Sequence, residues 1–189
     1  MRMFFALWPD AETRARLAQA AEALDRADHG QRVPRENYHV TLTFVGAVEK
    51  SALAVLQQIG RQQRAMGFTI TFDAYDYWPQ PRVIVAAARA MPATLLDLWT
   101  GLRRDLSLQQ TALSDTSLDA PLRPHVTLAR KVAQAPVLQA MSPFSWNARS
   151  FSLVHSQTGG ARSVYTVVDT WPLLDEQHSL QKSLSFRCI

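Results

Sequence analysis

"NYHVTLTFVG" at residues 37–46 and "RPHVTLAR" at 123–130 share the core His-Val-Thr-Leu, the second histidine lying 86 positions after the first. Side chains on a strand alternate between faces, so His39 and Thr41 share one face while Val40, Leu42 and Phe44 share the other. His125 and Thr127 oppose Val126 and Leu128 in the same way. The apolar letters anchor each strand to a core, and the polar letters face something else. One copy alone would read as an ordinary strand, since Val and Thr favour that conformation. A duplicated fold could keep its apolar letters for packing, but packing gives no reason to keep both His and Thr on the non-core face. The repetition therefore points to chemistry.

Outward from the tetrads, the flanking sequence repeats as well. "MFFALW" at 3–8 predicts a short buried strand, and Pro9-Asp10 opens a helix with Leu17, Ala21 and Leu24 on one face. "DHGQRVPREN" breaks that helix before the first tetrad strand, 38–45. A helix follows over 51–65 on Leu53, Leu56 and Ile59, then an alternating strand over 68–78 that Pro79 and Pro81 end. The order then restarts: a strand at 82–88, a helix opened by Pro92 with Leu95, Leu98, Leu102 and Leu106 on one face, a loop over 107–124, and the second tetrad. Strand, helix, tetrad strand occurring twice indicates a duplicated unit rather than a solenoid, which needs three or more repeats. "FSWNARSFSLVHSQTGGARSVYTVVDTW" predicts two strands joined by a turn at Gly159-Gly160. Residues 1–173 read as one two-lobed α+β domain and 174–189 as a C-terminal tail of undecided structure.

The chain has 189 residues, 47% hydrophobic, enough for a sizeable core. Its net charge of +4 is carried mainly by arginine, the only lysines being Lys50, Lys131 and Lys182. Arginine offers phosphate oxygens a planar bidentate fork. A lone Cys188 excludes an internal disulfide and fits a reducing compartment. The apolar run in "MRMFFALWPDAETR" is too short for a signal-peptide core, and no stretch approaches a membrane span, so a cytoplasmic protein is expected. His29, His155 and His178 are scattered without companion carboxylates, so no metal site is expected. "GAVEKS" at 46–51 lacks the spacing of a phosphate loop and the glycine before its lysine.

If the two halves are related by a pseudo-twofold axis, their polar faces meet across a groove, bringing two imidazoles and two hydroxyls around one small volume. That set suits phosphodiester cleavage. One neutral imidazole takes a proton from the attacking oxygen and the other, protonated, gives one to the departing oxygen; ordinary values near 6.5 allow both states around neutral pH. The threonine hydroxyls can donate to non-bridging oxygens. No metal is demanded.

The tetrads, taken with "FFALWPD", "RVIVAAA" and "YTVVDTWPL", resemble the 2H phosphoesterase superfamily and, within it, the RNA 2′,3′-cyclic phosphodiesterase family, also called 2′-5′ RNA ligases. The resemblance implies an α+β, bilobal 2H phosphoesterase fold: two pseudo-symmetric lobes with antiparallel sheets flanked by helices around a central groove. It implies cofactor-free hydrolysis of a terminal 2′,3′-cyclic phosphate to a 2′-phosphomonoester. His39 would be the proton donor to the leaving 3′-oxygen, His125 the base that activates water, and Thr41 and Thr127 would hold the phosphate. Arg130 matches a family arginine that contacts phosphate, yet strict alternation puts it on the face opposite His125, so the strand must twist or end there. The implied partners are RNA ends or nucleotides bearing a 2′,3′-cyclic phosphate, with no membrane association and a monomeric chain. Arg32, Arg35, Arg123 and Arg130 could form a basic rim, and Tyr38, Tyr75, Tyr77 and Trp78 are aromatic faces equally suited to packing. Another cyclic or 2′-linked phosphate as substrate, or a non-catalytic RNA-end-binding module, are the alternatives.

Overall fold

A computed structural model describes residues 1–24, 30–109, 121–157 and 163–175. The expected turn at Gly159-Gly160, together with His29, His178, Cys188 and most of the tail, lies outside the described residues.

Two four-stranded antiparallel sheets carry the tetrads. The first contains β1 (Arg2–Leu7) and β3 (Val40–Ala47), followed outward from β1 by β9 (Ser150–Gln157) and β10 (Val164–Pro172), in the order β10-β9-β1-β3. The second has the order β2-β7-β6-β5, from β2 (Gln31–Arg32), β5 (Ala74–Trp78), β6 (Val83–Ala87) and β7 (His125–Arg130). A separate ribbon pairs β4 (Phe68–Phe72) with β8 (Phe144–Ala148). The architecture is α+β with antiparallel sheets, as the sequence led one to expect. Two details differ. The run 68–78 is broken at Asp73, because β4 and β5 pair with different partners, β8 and β6. The region after the second tetrad holds three strands rather than two, β8 having left the β9–β10 pair.

Helix α1 (Ala11–Glu22) begins where Asp10 accepts a hydrogen bond from the Thr13 amide at 2.7 Å, satisfying a first-turn donor that lacks a partner within the helix. Helix α2 (Leu53–Gln62) follows a single 3-10 turn, and α3 (Ala93–Ser107) follows Pro92 and buries Leu95, Leu98, Leu102 and Leu106. The helices cross between the halves. Helix α1, which follows a strand of the first sheet, packs on β7 of the second, while α3 packs on β3 of the first. The Tyr75 hydroxyl of β5 donates to the Ala20 carbonyl of α1 at 2.7 Å. One continuous apolar cluster therefore includes Phe5 and Leu7 of β1, Leu17 of α1, Ile84 of β6, Leu98 of α3 and Leu128 of β7. The expected bilobal pattern is present in the sheets, but the lobes share their core. The first residues of the tail are fastened to the fold: the Leu174 amide donates to the Ala65 carbonyl at 2.9 Å, and its carbonyl accepts from Gly67 at 2.9 Å.

Candidate active site

Both tetrad strands depart from regular alternation at the same letter. Along β3, Ala6 of β1 faces Thr41 while the adjacent Phe5 faces Thr43, so Leu42 is an extra residue. Along β7, Val85 of β6 faces Thr127 while the adjacent Ile84 faces Ala129, so Leu128 is extra. A bulge adds one residue to one strand and resets the face on which later side chains emerge. Leu42 and Thr43 are consequently both buried, as are Leu128 and Ala129. The next residues, Phe44 and Arg130, come out exposed on the face of the histidines. This corrects the expectation that Phe44 joins the core: it is 64% exposed, with its ring 5.9 Å from that of Phe4. It also accounts for Arg130, whose strand both bulges and ends there, the backbone turning at Lys131 with φ 58°. The two halves match position for position, and Phe44 stands in one where Arg130 stands in the other.

The imidazoles are oriented alike. His39 Nδ1 lies 2.7 Å from the Asn37 carbonyl and His125 Nδ1 lies 2.6 Å from the Arg123 carbonyl, each two residues upstream. A carbonyl only accepts, so each Nδ1 carries the proton and each Nε2 is left for a ligand. His39 stands among aromatic rings: Trp8 is stacked on it at 5.4 Å, Phe4 is tilted at 5.1 Å and Tyr165 is edge-on at 5.1 Å. Trp78 packs on His125 at 4.3 Å between centroids. The Asp76 carboxylate accepts from Trp78 Nε1 at 2.9 Å and from Arg123 at 2.8 Å, while the Arg123 guanidinium lies 4.8 Å from the Trp78 ring centroid. Asp76 thus ties together two residues that touch His125, and no sequence pattern singled it out.

Burial pulls His39 down to about 4, opposed by its bond to the Asn37 carbonyl and assisted by the positive charge of Arg130 and by His125. His125 is lowered as well, first by burial and then, against its carbonyl bond, by Arg123 and Arg130. Arg130 thus exerts its field on both rings. Thr41 and Thr127 are half-buried on the same strand faces as their histidines, and Thr41 and His125 line one hollow of about 290 Å³. A larger hollow of about 810 Å³ lies elsewhere, between α1 and residues 136–144, and contains neither histidine.

Other candidates fall away from the site. Arg32 donates to the carbonyls of Glu22 and Leu24 and Arg35 pairs with Glu22 at 2.9 Å, so half of the expected basic rim is occupied at the end of α1. Tyr38 is buried, Tyr75 is bound to α1 and Tyr77 packs against the core, which leaves Trp78 as the aromatic of that group in contact with a tetrad histidine. Among the described residues no three His, Cys, Asp or Glu side chains converge as metal ligands, and no helix is long and apolar enough to cross a membrane.

The comparisons with known proteins agree on kinship. The family model described as "LigT like Phosphoesterase" matches residues 7–85. The RNA 2′,3′-cyclic phosphodiesterase of Thermus thermophilus is 31% identical over 184 residues, covering 93% of this chain and 92% of that one. The Escherichia coli enzyme of the same name is 29% identical, covering 91% and 96%. Among solved structures, E. coli LigT complexed with 3′-AMP superposes with a TM-score of 0.80 at 29% identity, over 91% of this chain and 97% of that one. The structure of TT0787 from T. thermophilus gives 0.80 at 29%, over 93% and 100%. Identity of this order along nearly the whole length, on a fold that carries both tetrads at equivalent bulged strands, makes the chain a member of the RNA 2′,3′-cyclic phosphodiesterase family of LigT-like phosphoesterases.

Proposed function

We propose that this protein hydrolyses a terminal 2′,3′-cyclic phosphate on RNA to a 2′-phosphomonoester, with the two tetrad histidines as acid and base. The observation that carries the reading is the matched pair of imidazoles, each with Nδ1 held by the carbonyl two residues upstream and Nε2 left for the phosphate. His125 Nε2 takes a proton from water as the water oxygen bonds to phosphorus. The P–O3′ bond breaks, and protonated His39 Nε2 gives its proton to O3′. Thr41 and Thr127 donate to non-bridging oxygens and Arg130 supplies a fixed positive charge where negative charge gathers. An RNA 5′-hydroxyl in place of water would join ends through a 2′-5′ linkage by the same proton transfers.

In the free protein His39 is neutral near pH 7, because its proton is lost above about 4. An incoming phosphate anion reverses that preference, since an opposite charge beside Nε2 favours imidazolium. The face of Trp8, stacked on His39, works in the same direction, attracting the cation electrostatically. Proton and substrate are thus taken up together. Phe44, exposed five residues after His39, offers a face on which the terminal base can stack. Both tetrads lie in one chain, so a single copy supplies both histidines.

The test is incubation of purified protein with adenosine 2′,3′-cyclic phosphate and a chelator, resolving 2′- from 3′-phosphate, beside His39→Ala and His125→Ala. A 2′-phosphate made by the wild type and lost by at least 100-fold in both variants is expected on the ordinary scale of acid-base catalysis, about 10²–10⁴. Turnover that survives loss of both histidines would refute the assignment.

A further inference from the structure

The hollow that begins at Thr41 and His125 runs past Phe44 to a wall supplied by α3, where Trp99 and Arg103 stand one helical turn apart. The four buried leucines of α3 fix its rotation, leaving Trp99 and Arg103 on the flank toward β3. The Arg103 guanidinium lies over the Trp99 ring at 4.3 Å from its centroid. Two arginine-on-tryptophan pairs therefore line one hollow, Arg123 on Trp78 and Arg103 on Trp99. They differ in one respect. Arg123 is neutralised by Asp76, whereas the ion pairs among the described residues use Arg16, Arg35, Arg61, Arg104 and Arg123 and leave Arg103 out.

A guanidinium laid on an indole has already given up much of its rotational freedom and presents its fork in one plane. In a groove that handles a polyanion, such a group calls for a second anion. The cyclic phosphate is engaged by His39, His125, Thr41, Thr127 and Arg130 under the proposed function, on which this step rests. The other anion at an RNA end is the phosphodiester on the 5′ side of the same nucleotide. A volume of about 290 Å³ has room for a nucleoside with its flanking phosphate. We infer that Arg103, held on Trp99, binds the phosphodiester that joins the terminal nucleotide to the one before it. The site thereby distinguishes a polymer end from a free cyclic nucleotide.

The experiment compares three substrates on the full chain: adenosine 2′,3′-cyclic phosphate, its 5′-phosphorylated form, and the dinucleotide ApA ending in a 2′,3′-cyclic phosphate. Wild type should favour the last two by kcat/KM. R103A should lose about tenfold on those two through KM, the size expected for a charge-assisted contact, and stay within twofold on the unphosphorylated nucleotide. R103K should recover part of the loss, and W99L should lose less than R103A. Equal discrimination by wild type and R103A, or an equal fall on all three substrates, would overturn the inference. Binding of the uncleavable product ApA 2′-phosphate against adenosine 2′-phosphate keeps the two readings apart. If wild type turns over no cyclic phosphate, the proposed function fails, and the dinucleotide's binding advantage, with its loss in R103A, still decides the subsite.

Discussion

His39 loses its proton above about 4 and His125 is also lowered, and both shifts have consequences that can be measured. The value of kcat/KM reports the free enzyme, so its bell should peak on the acid side of 6.5 and fall toward neutral pH as His39 gives up its proton. The value of kcat reports the complex, in which the bound anion holds that proton, so its basic limb should lie higher. Coincident limbs would show that substrate does not bring the proton with it. Arg130 lowers both rings, so Arg130→Gln should raise both and carry the kcat/KM bell to higher pH, with KM up about tenfold from the lost phosphate contact. Stability follows the same sign. A histidine lowered in the folded state keeps its stability contribution above its unfolded value near 6.5 and loses it as pH falls toward 4, amounting to about 3 kcal/mol for His39. Urea unfolding of His39→Gln across that window should show a flatter decline than wild type. Trp8→Leu removes the stacked face, and a loss of about 1 kcal/mol of cation attraction predicts roughly a fivefold lower kcat.

At the scale of elements, the site depends on irregular strands. The bulges at Leu42 and Leu128 let a tetrad strand bury two consecutive residues and still present Phe44 or Arg130 to the groove. Gly30 supports the second bulged strand from the side. Its φ is 71°, and a Cβ there would run into the Arg130 carbonyl oxygen, so both the backbone conformation and the close approach require glycine. Gly30→Ala should cost about 1–3 kcal/mol and, because the displaced atom belongs to Arg130, should raise KM as well. A thermal shift with KM unchanged would mean that the Arg130 side chain is set independently of this contact. Asp76 acts on the other side of the same strand, and Asp76→Ala should free both Trp78 and Arg123 to move away from His125. The expected readout is a lower kcat with a shifted pH profile.

Over the whole molecule, the exchange of helices makes two halves into one body. Helix α1 covers the sheet of the second tetrad, α3 covers the sheet of the first, and their apolar faces meet in one cluster. Neither half can open without exposing the other's core. Unfolding in urea followed by far-UV circular dichroism and by tryptophan fluorescence should therefore give coincident single transitions, reporting Trp146 and Trp171 in the core together with the secondary structure. Separated midpoints would show two units unfolding independently. The same exchange places α3 beside β3, which is how Trp99 and Arg103 come to line a hollow whose histidine, His125, lies on another element.

The sequence by itself determined the strand-helix-strand repeat, the helical faces carrying Leu17 or Leu98, and the two residue pairs, His39 with Thr41 and His125 with Thr127, that stand off the core. Those features are local, set by hydrophobic period and by the two-residue alternation of a strand, and they survive in a one-dimensional pattern. Only the tertiary structure decided the rest. A bulge is defined by the residue opposite, so no reading of β3 or β7 alone could bring Phe44 or Arg130 to the histidine face. The break at Asp73 depended on which strands β4 and β5 would pair with. The roles of Asp76 and Trp8 arise from contacts with Arg123 and His39, far from them in the chain, and that of Arg103 from the packing of α3 on β3, so that distance and charge in three dimensions, rather than order along the backbone, fix what each side chain meets.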